Sequence, residues 1–388
     1  MNYLADLGWE CHFLKHTGPT QTLMPGVKME DNEEFKFYVH GSALKQYCED
    51  ILQQRIRDLK PDIFGILLDT FMLNPPGNPW FYNLDFAPAK SIMYFPSDGG
   101  GGLTTNEKLV SGIGCNLPIT CENILKKVDK PVAMARFSKV QAKEVHGINS
   151  EYIPHAIEPE IYKPLSEQEK RELRIKWSNK LQVDLRDRFI IGTVARNQGR
   201  KMLDRTFLMM KNVAKEIPEA ILLAHTDKYD PATYFNPDFL MMQHGIQNKI
   251  VFTGTKYYKG FDYKTMNEIY NLFDLFYLGT SGEGFGIPII EAMACEIPVL
   301  ATDYTTTWEL VERTKSGEAV KKEGEILGSW NVGRAVVDIE DSARKVIKLY
   351  KDPKLRKEYG TNGREAVLRE YTWEIVSKTW DKLLRSLL

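Results

Sequence analysis

Several signposts of compartment and partner are missing from this chain. No apolar run reaches the roughly 20 residues that cross a bilayer. The N-terminus, MNYLADLGWECHFL, lacks the charged and apolar regions of a signal peptide. Cysteine is scarce: Cys11, Cys48, Cys115, Cys121 and Cys295 are odd in number and scattered, which fits neither a disulfide framework nor a zinc site. Net charge is nearly absent at -1, which excludes an overall electrostatic footprint for nucleic acid. Internal repeats and low-complexity segments do not occur. A reducing cytoplasm is the expected compartment, with peripheral attachment to a membrane left open.

What is present is the composition of a globular protein, 43% hydrophobic and 27% charged, in 388 residues that leave room for two domains. Apolar β-rich runs alternate with amphipathic helical patterns, which predicts α/β layers around parallel sheets. In the first half ECHFL, DIFGILLD, KSIMYFP, PVAMAR and SEYIPH read as strands. Ser42 to Leu59 reads as a helix with Ser42 as N-cap and Pro61 as its stop. In the second half FIIGTVA, AILLAHT, KIVFTG, LFDLFYL and IPVLATD are the strands. Between the halves, YIPHAIEPEIYKPL carries three prolines and precedes a charged helix, Ser166 to Leu185. The domain boundary is expected near residue 160.

One stretch concentrates the chemistry: EGFGIPIIEAMACEIPVLATD, Glu283 to Asp303. Gly284 and Gly286 let backbone N–H groups approach a ligand, and Pro288 suits a first helical turn. A helix N-terminus attracts anions, phosphate above all. Glu291 falls about one turn into that helix, roughly 5 Å along its axis. The two carboxylates thus flank a phosphate site. A second cluster follows the strand FIIGTVA, where Arg196, Arg200 and Lys201 stand at a strand end. In open α/β sheets ligands bind at such ends.

With these residues in place, the chain resembles the retaining GT-B glycosyltransferases of family 4, the glycosyl transferases group 1. The likeness rests on the two glutamates eight residues apart before an apolar helix and strand, on VARNQGRK, and on the Ile-Pro-His hinge string. It implies two Rossmann-like, doubly wound parallel-sheet domains facing a cleft. Residues 1–160 would form the acceptor-side domain, 161–365 the nucleotide-sugar donor domain, and 366–388 a helix crossing back to the first. It implies that Arg196 and Lys201 hold the donor diphosphate, Glu283 contacts the transferred sugar and Glu291 the ribose hydroxyls. Gly284, Phe285, Gly286, Ile287 and Thr255 join them as donor-binding residues. No Asp-x-Asp triplet occurs, so leaving-group stabilisation without a metal or cofactor is expected. Retention by front-face attack follows from the same resemblance.

Other positions depart from the family. Its first-domain histidine has no counterpart in SIMYFPSDGGGG, where Asp98 either binds a sugar hydroxyl, assists the acceptor or merely forms a turn. His155 is expected to be structural. AHTDKYDP and TTTWEL replace glycine-rich turns, although Glu309 keeps an acidic position. Lys126, Lys127, Lys130, Arg136, Lys139 and Lys143 form a basic face that some relatives turn to anionic lipid. A first strand and its Gly-rich loop are expected ahead of NYLADLGWECHFL but do not occur there. The partners expected are a nucleotide sugar and a sugar, lipid or small-molecule acceptor. A nucleotide-sugar epimerase and a silent nucleotide-sugar binder stay open as other readings.

Overall fold

A computed structural model describes residues 1–14, 24–26, 35–40, 48–73, 80–103, 106–111 and 119–388. In the first lobe, β1 (His12–Leu14) and β2 (Tyr38–His40) form a parallel pair. A separate four-stranded parallel sheet contains β3 (Ile63–Leu67) and β4 (Lys90–Phe95). After them come a small antiparallel hairpin, β5 (Gly101–Leu103) with β6 (Leu109–Ser111), and two further strands, β7 (Lys130–Ala133) and β8 (Glu151–Tyr152). The sheet order is β3-β4-β7-β8. Of the helix expected over Ser42–Leu59, the described residues show Leu52–Leu59. Cys48 takes a left-handed backbone, φ 59°, and a turn precedes the helix. Ser42 itself lies outside the described residues, as does Cys115.

The second lobe has one six-stranded parallel sheet: β9 (Phe189–Val194), β10 (Ala220–His225), β11 (Ile250–Phe252), β12 (Leu275–Leu278), β13 (Val299–Thr302) and β14 (Gly317–Val320). Their spatial order, β11-β10-β9-β12-β13-β14, is the doubly wound 3-2-1-4-5-6 arrangement. Side chains alternate between two cores, as a pleated sheet buried on both faces requires. Ile190, Ile221, Leu223, Phe276 and Leu278 face one core. Phe189, Ile191, Leu222, Leu275 and Tyr277 face the other, where the helix Leu203–Glu216 packs Phe207, Met210 and Val213. Burying such side chains stabilises by roughly 2 kcal/mol each. An antiparallel pair, β15 (Lys322–Leu327) and β16 (Gly333–Val337), completes the lobe.

The lobes are joined by a packed hinge. Its core cluster runs from Ile92 and Tyr94 of β4 through Ile153, Ala156 and Ile157 to Phe285 and Tyr371 of the second lobe. The charged helix starts one residue late, Glu167–Leu181, because Ser166 and Glu169 form a reciprocal capping box. At the other end, the helix Trp373–Arg385 lies on the first lobe. Trp9 Nε1 donates to Asp381 at 2.7 Å, and Tyr94 meets Trp380 edge-on at 5.1 Å. Among the described residues no helix is long and apolar enough to cross a membrane.

Candidate functional site

The switch point of the second sheet lies between β9 and β12, and two loops meet there. From β9 the chain passes through a 3-10 turn, Gly199–Lys201, into the helix Leu203–Glu216. From β12 it runs through Gly282–Gly286 into the helix Ile287–Ala294. Gly286 precedes that helix at φ 101°, a conformation available at little cost only without a Cβ.

These loops build a buried charge cluster. Lys201 Nζ stands 2.5 Å from Glu283 Oε1, with both side chains almost entirely buried. Arg200 reaches the other oxygen at 3.4 Å and donates to the Gly282 carbonyl at 3.1 Å. Burial works against the charge on Glu283, but Lys201 and Arg200 outweigh it and hold the carboxyl down to about 2. Burial also lowers the Lys201 ammonium, opposed by the same carboxylate. Glu283 is therefore ionised at neutral pH.

The first lobe closes directly over this cluster. Asp98 pairs with Arg334 at 3.1 Å and lies 3.8 Å from Arg200, so it belongs to an interlobe ion network. Its carbonyl accepts from Arg334 at 2.6 Å. Asp69, just past β3, shares the neighbourhood of Asp98, Arg200 and Arg334, and burial pushes its carboxyl up. The approach is so close that a Cβ on Gly282 would sit 2.0 Å from the Asp98 carbonyl, and one on Gly284 2.7 Å from Pro96. Gly282 also has φ 152°. Gly282→Ala is therefore expected to prise the lobes apart and cost about 1–3 kcal/mol in urea unfolding.

Arg196 stands elsewhere. Its guanidinium forks onto buried Asp230 at 2.8 and 3.3 Å, lies over Tyr257, and is half exposed. It leaves β9 toward the β10 loop, so the second cation at Glu283 is Arg200. Phe285 packs into the hinge. Its ring is buried against His155 and Tyr371 in the hinge core, leaving only its backbone for a ligand. His155 is itself packed between Tyr94 and Phe285, and burial lowers its pKa to about 4, which keeps it neutral.

Glu291 accepts from Tyr270 Oη at 2.6 Å, and Tyr162 provides a second hydroxyl. Burial raises its pKa, and the two tyrosines counter this. Ile287 presents an exposed side chain at the helix start, and Thr255 is buried just beyond β11, two strands from β9.

Four buried polar atoms in the loops that follow the strands' carboxyl ends have no hydrogen-bond partner: Asn197 Oδ1 after β9, Thr226 Oγ1 after β10, Ser281 Oγ after β12 and Thr306 Oγ1 after β13. Buried polar groups are nearly always satisfied, so orphans gathered at a sheet's ligand edge mark a place for polar ligand atoms. Nothing but their positions after strands signalled these four in the sequence. Among the described residues no His, Cys, Asp and Glu side chains gather in a metal-binding group. The basic face is largely occupied by local partners. Lys127 donates to three carbonyls, of Phe81, Tyr82 and Leu84; Lys126 pairs with Glu122, and Arg136 with Glu107 at 3.1 Å.

Two Rossmann-like lobes closed over a charged cleft define the GT-B class of glycosyltransferase folds. Residues 175–366, most of the second lobe, match the family model described as glycosyl transferases group 1. The chain is 26% identical over 208 residues to the capsular polysaccharide biosynthesis glycosyltransferase CapM of Staphylococcus aureus; the match covers 51% of this chain and 46% of CapM. The chain thus spans about half the length of that curated relative. Its fold is similar to the sucrose-phosphate synthase of Thermosynechococcus elongatus, with TM-score 0.70 and 17% identity over 100% of this chain and 91% of that one. It is also similar to Anabaena HepE in complex with UDP, with TM-score 0.63 and 15% identity over 87% and 82% of the two chains.

Proposed function

We propose that this chain transfers a sugar from a nucleoside-diphosphate donor, UDP- or GDP-linked, to a hydroxyl acceptor, with retention of configuration and without a metal. The observation that carries the reading is the Lys201–Glu283–Arg200 cluster at the switch point of a group 1 domain. HepE, which shares the fold, was solved with UDP, which favours uridine among the bases.

Departure of the diphosphate builds negative charge on the oxygen leaving the anomeric carbon. Arg200 and Lys201, with N–H groups around Gly284–Gly286, are fixed donors that meet this charge without reorganising. Lys201 is held in place by Glu283 before the donor arrives. Glu283 then offers its carboxylate to sugar hydroxyls, and the two tyrosines on Glu291 orient that side chain toward the ribose. The acceptor enters from the first lobe, where Asp98 and Asp69 are the carboxylates at the cleft. A sugar, lipid or small-molecule acceptor and attachment at a membrane surface belong to the same reading.

The test is calorimetric titration with UDP, GDP and ADP, each with and without EDTA. Micromolar binding of one nucleotide, unchanged by EDTA, is the expected result. Failure of all three against folded protein sinks the donor site. Glu291→Ala is expected to weaken the nucleotide that binds by about 1.5–3 kcal/mol, the worth of a hydrogen bond to a charged group.

A further inference from the structure

We propose that Thr305 is the positioning residue for Glu283, and that the segment Tyr304–Glu309 couples closure of the two lobes to the placement of that glutamate. The proposal rests on the reading of Glu283 as a ligand of the donor sugar.

Thr305 Oγ1 accepts the backbone N–H of Glu283 at 3.0 Å, and both residues are buried. The backbone N–H of Thr305 donates in turn to the Gly101 carbonyl of the first lobe, also at 3.0 Å. One residue therefore holds the donor-site glutamate with its side chain and the opposite lobe with its main chain. It does so at φ 49°, where a β-branched residue is a steric outlier. Such a conformation persists only where surrounding contacts over-determine it.

Those contacts come mostly from the first lobe. Tyr304 Oη accepts the N–H groups of Gly100 and Gly101, each at 3.0 Å. Trp308 packs with Leu103 and Phe137. Glu309 accepts the Arg136 N–H at 2.7 Å and the Tyr152 hydroxyl at 2.5 Å. Arg136 opens the helix Arg136–His146 behind Ala135, whose side chain has no oxygen to cap it, so the second lobe supplies the cap. Four residues of one six-residue segment of the second lobe thus grip the glycine loop, the hairpin and a helix start of the first.

When the lobes part, these contacts break together. The strained backbone at Thr305 then loses its supports, and the Glu283 N–H loses its acceptor. Closure of the cleft and assembly of the donor site become one event, as coupling through an element with two arrangements requires.

The experiment is amide hydrogen exchange of the unliganded full chain, read at Glu283. Thr305→Val keeps shape and strain but removes the acceptor, and is expected to speed exchange at Glu283 at least tenfold. Thr305→Ser restores the acceptor and is expected to restore protection. Tyr304→Phe touches the first lobe and not Glu283, and is expected to speed exchange there as well. Wild-type protection at Glu283 in Thr305→Val overturns the positioning role. Wild-type protection there in Tyr304→Phe overturns the coupling, and so does a uniform rise over the β9 and β10 core, which marks general loosening. In parallel, affinity is measured for whichever of UDP, GDP and ADP the wild type binds best. It is expected to fall at least tenfold in Thr305→Val and to recover in Thr305→Ser. A wild type that binds none of the three counts against the donor reading, and the exchange result still decides this one.

Discussion

Lys201→Met is expected to weaken nucleoside-diphosphate binding by about a hundredfold, or about 3 kcal/mol. It is expected to lower unfolding stability by a similar amount, at the low end of what breaking a buried pair costs. Methionine keeps the length and bulk of the side chain, so the loss isolates the charge. Glu283 is 6% exposed and would keep only Arg200, at 3.4 Å, as a cation. The same pair predicts acid behaviour. The Glu283 carboxyl is depressed from 4.5 to about 2, so its contribution is full above the ordinary value and is lost as pH falls toward 2. In Lys201→Met the onset of that loss moves to higher pH. Arg200→Ala is expected to weaken the nucleotide as well, whereas Arg196→Ala leaves its affinity within about threefold, since its guanidinium is held by Asp230 and not turned to Glu283. Titration calorimetry of the three variants separates the two arginines; equal losses at both would return Arg196 to the site.

The placement of Arg200 at Glu283 and of Arg196 on Asp230 shows where a linear reading stops. Both arginines follow the same strand end within five residues, and the sequence offers no reason to prefer the second. The deciding groups are distant in the chain. Asp230, 34 residues on, draws Arg196 away, and the 3-10 turn swings Arg200 and Lys201 onto Glu283, more than 80 residues on. The same holds for Asp98, whose partner Arg334 is 236 residues away.

The sheet was easier to read. β9, β10, β12 and β13 are buried along their whole length, so they appear as unbroken apolar runs. β14, GEAV, has too few apolar residues to stand out, and β15, KEGEIL, lies largely at the surface with three charged residues in its first four. The hairpin β5–β6 hides in a glycine run because its supports, Tyr304 and Thr305, lie in the other lobe. Fold was therefore legible wherever burial is local and continuous, and the site wherever glycine, proline and glutamate share one loop. What interlobe contact decides was not legible.

Glu309 carries the second large effect, and its sign runs against that of Glu283. It lies in a short π-helical turn, Trp308–Glu312, and is fully buried between the lobes. Burial raises its carboxyl to about 7, opposed by the Tyr152 hydroxyl, the Arg136 N–H and the charges of Arg136 and Arg313. The tyrosines Tyr94, Tyr152 and Tyr371 also face it, and their hydroxyls are pushed upward, so they stay neutral. In the window between 4.5 and about 7 the native chain holds a proton that the unfolded chain has released. Stability from the neutral form is therefore complete below that window and is lost as pH rises through about 7. The difference amounts to about 3 kcal/mol above neutrality. Glu309→Gln holds the group neutral at every pH and retains an acceptor and a donor for its two partners. The variant is expected to match the wild type near pH 4, below that window, and to exceed it by about 3 kcal/mol near pH 9. Urea midpoints taken across that range decide the matter: parallel curves for the two chains would mean that the carboxylate is already ionised in the folded protein and that its hydrogen bonds outweigh its burial.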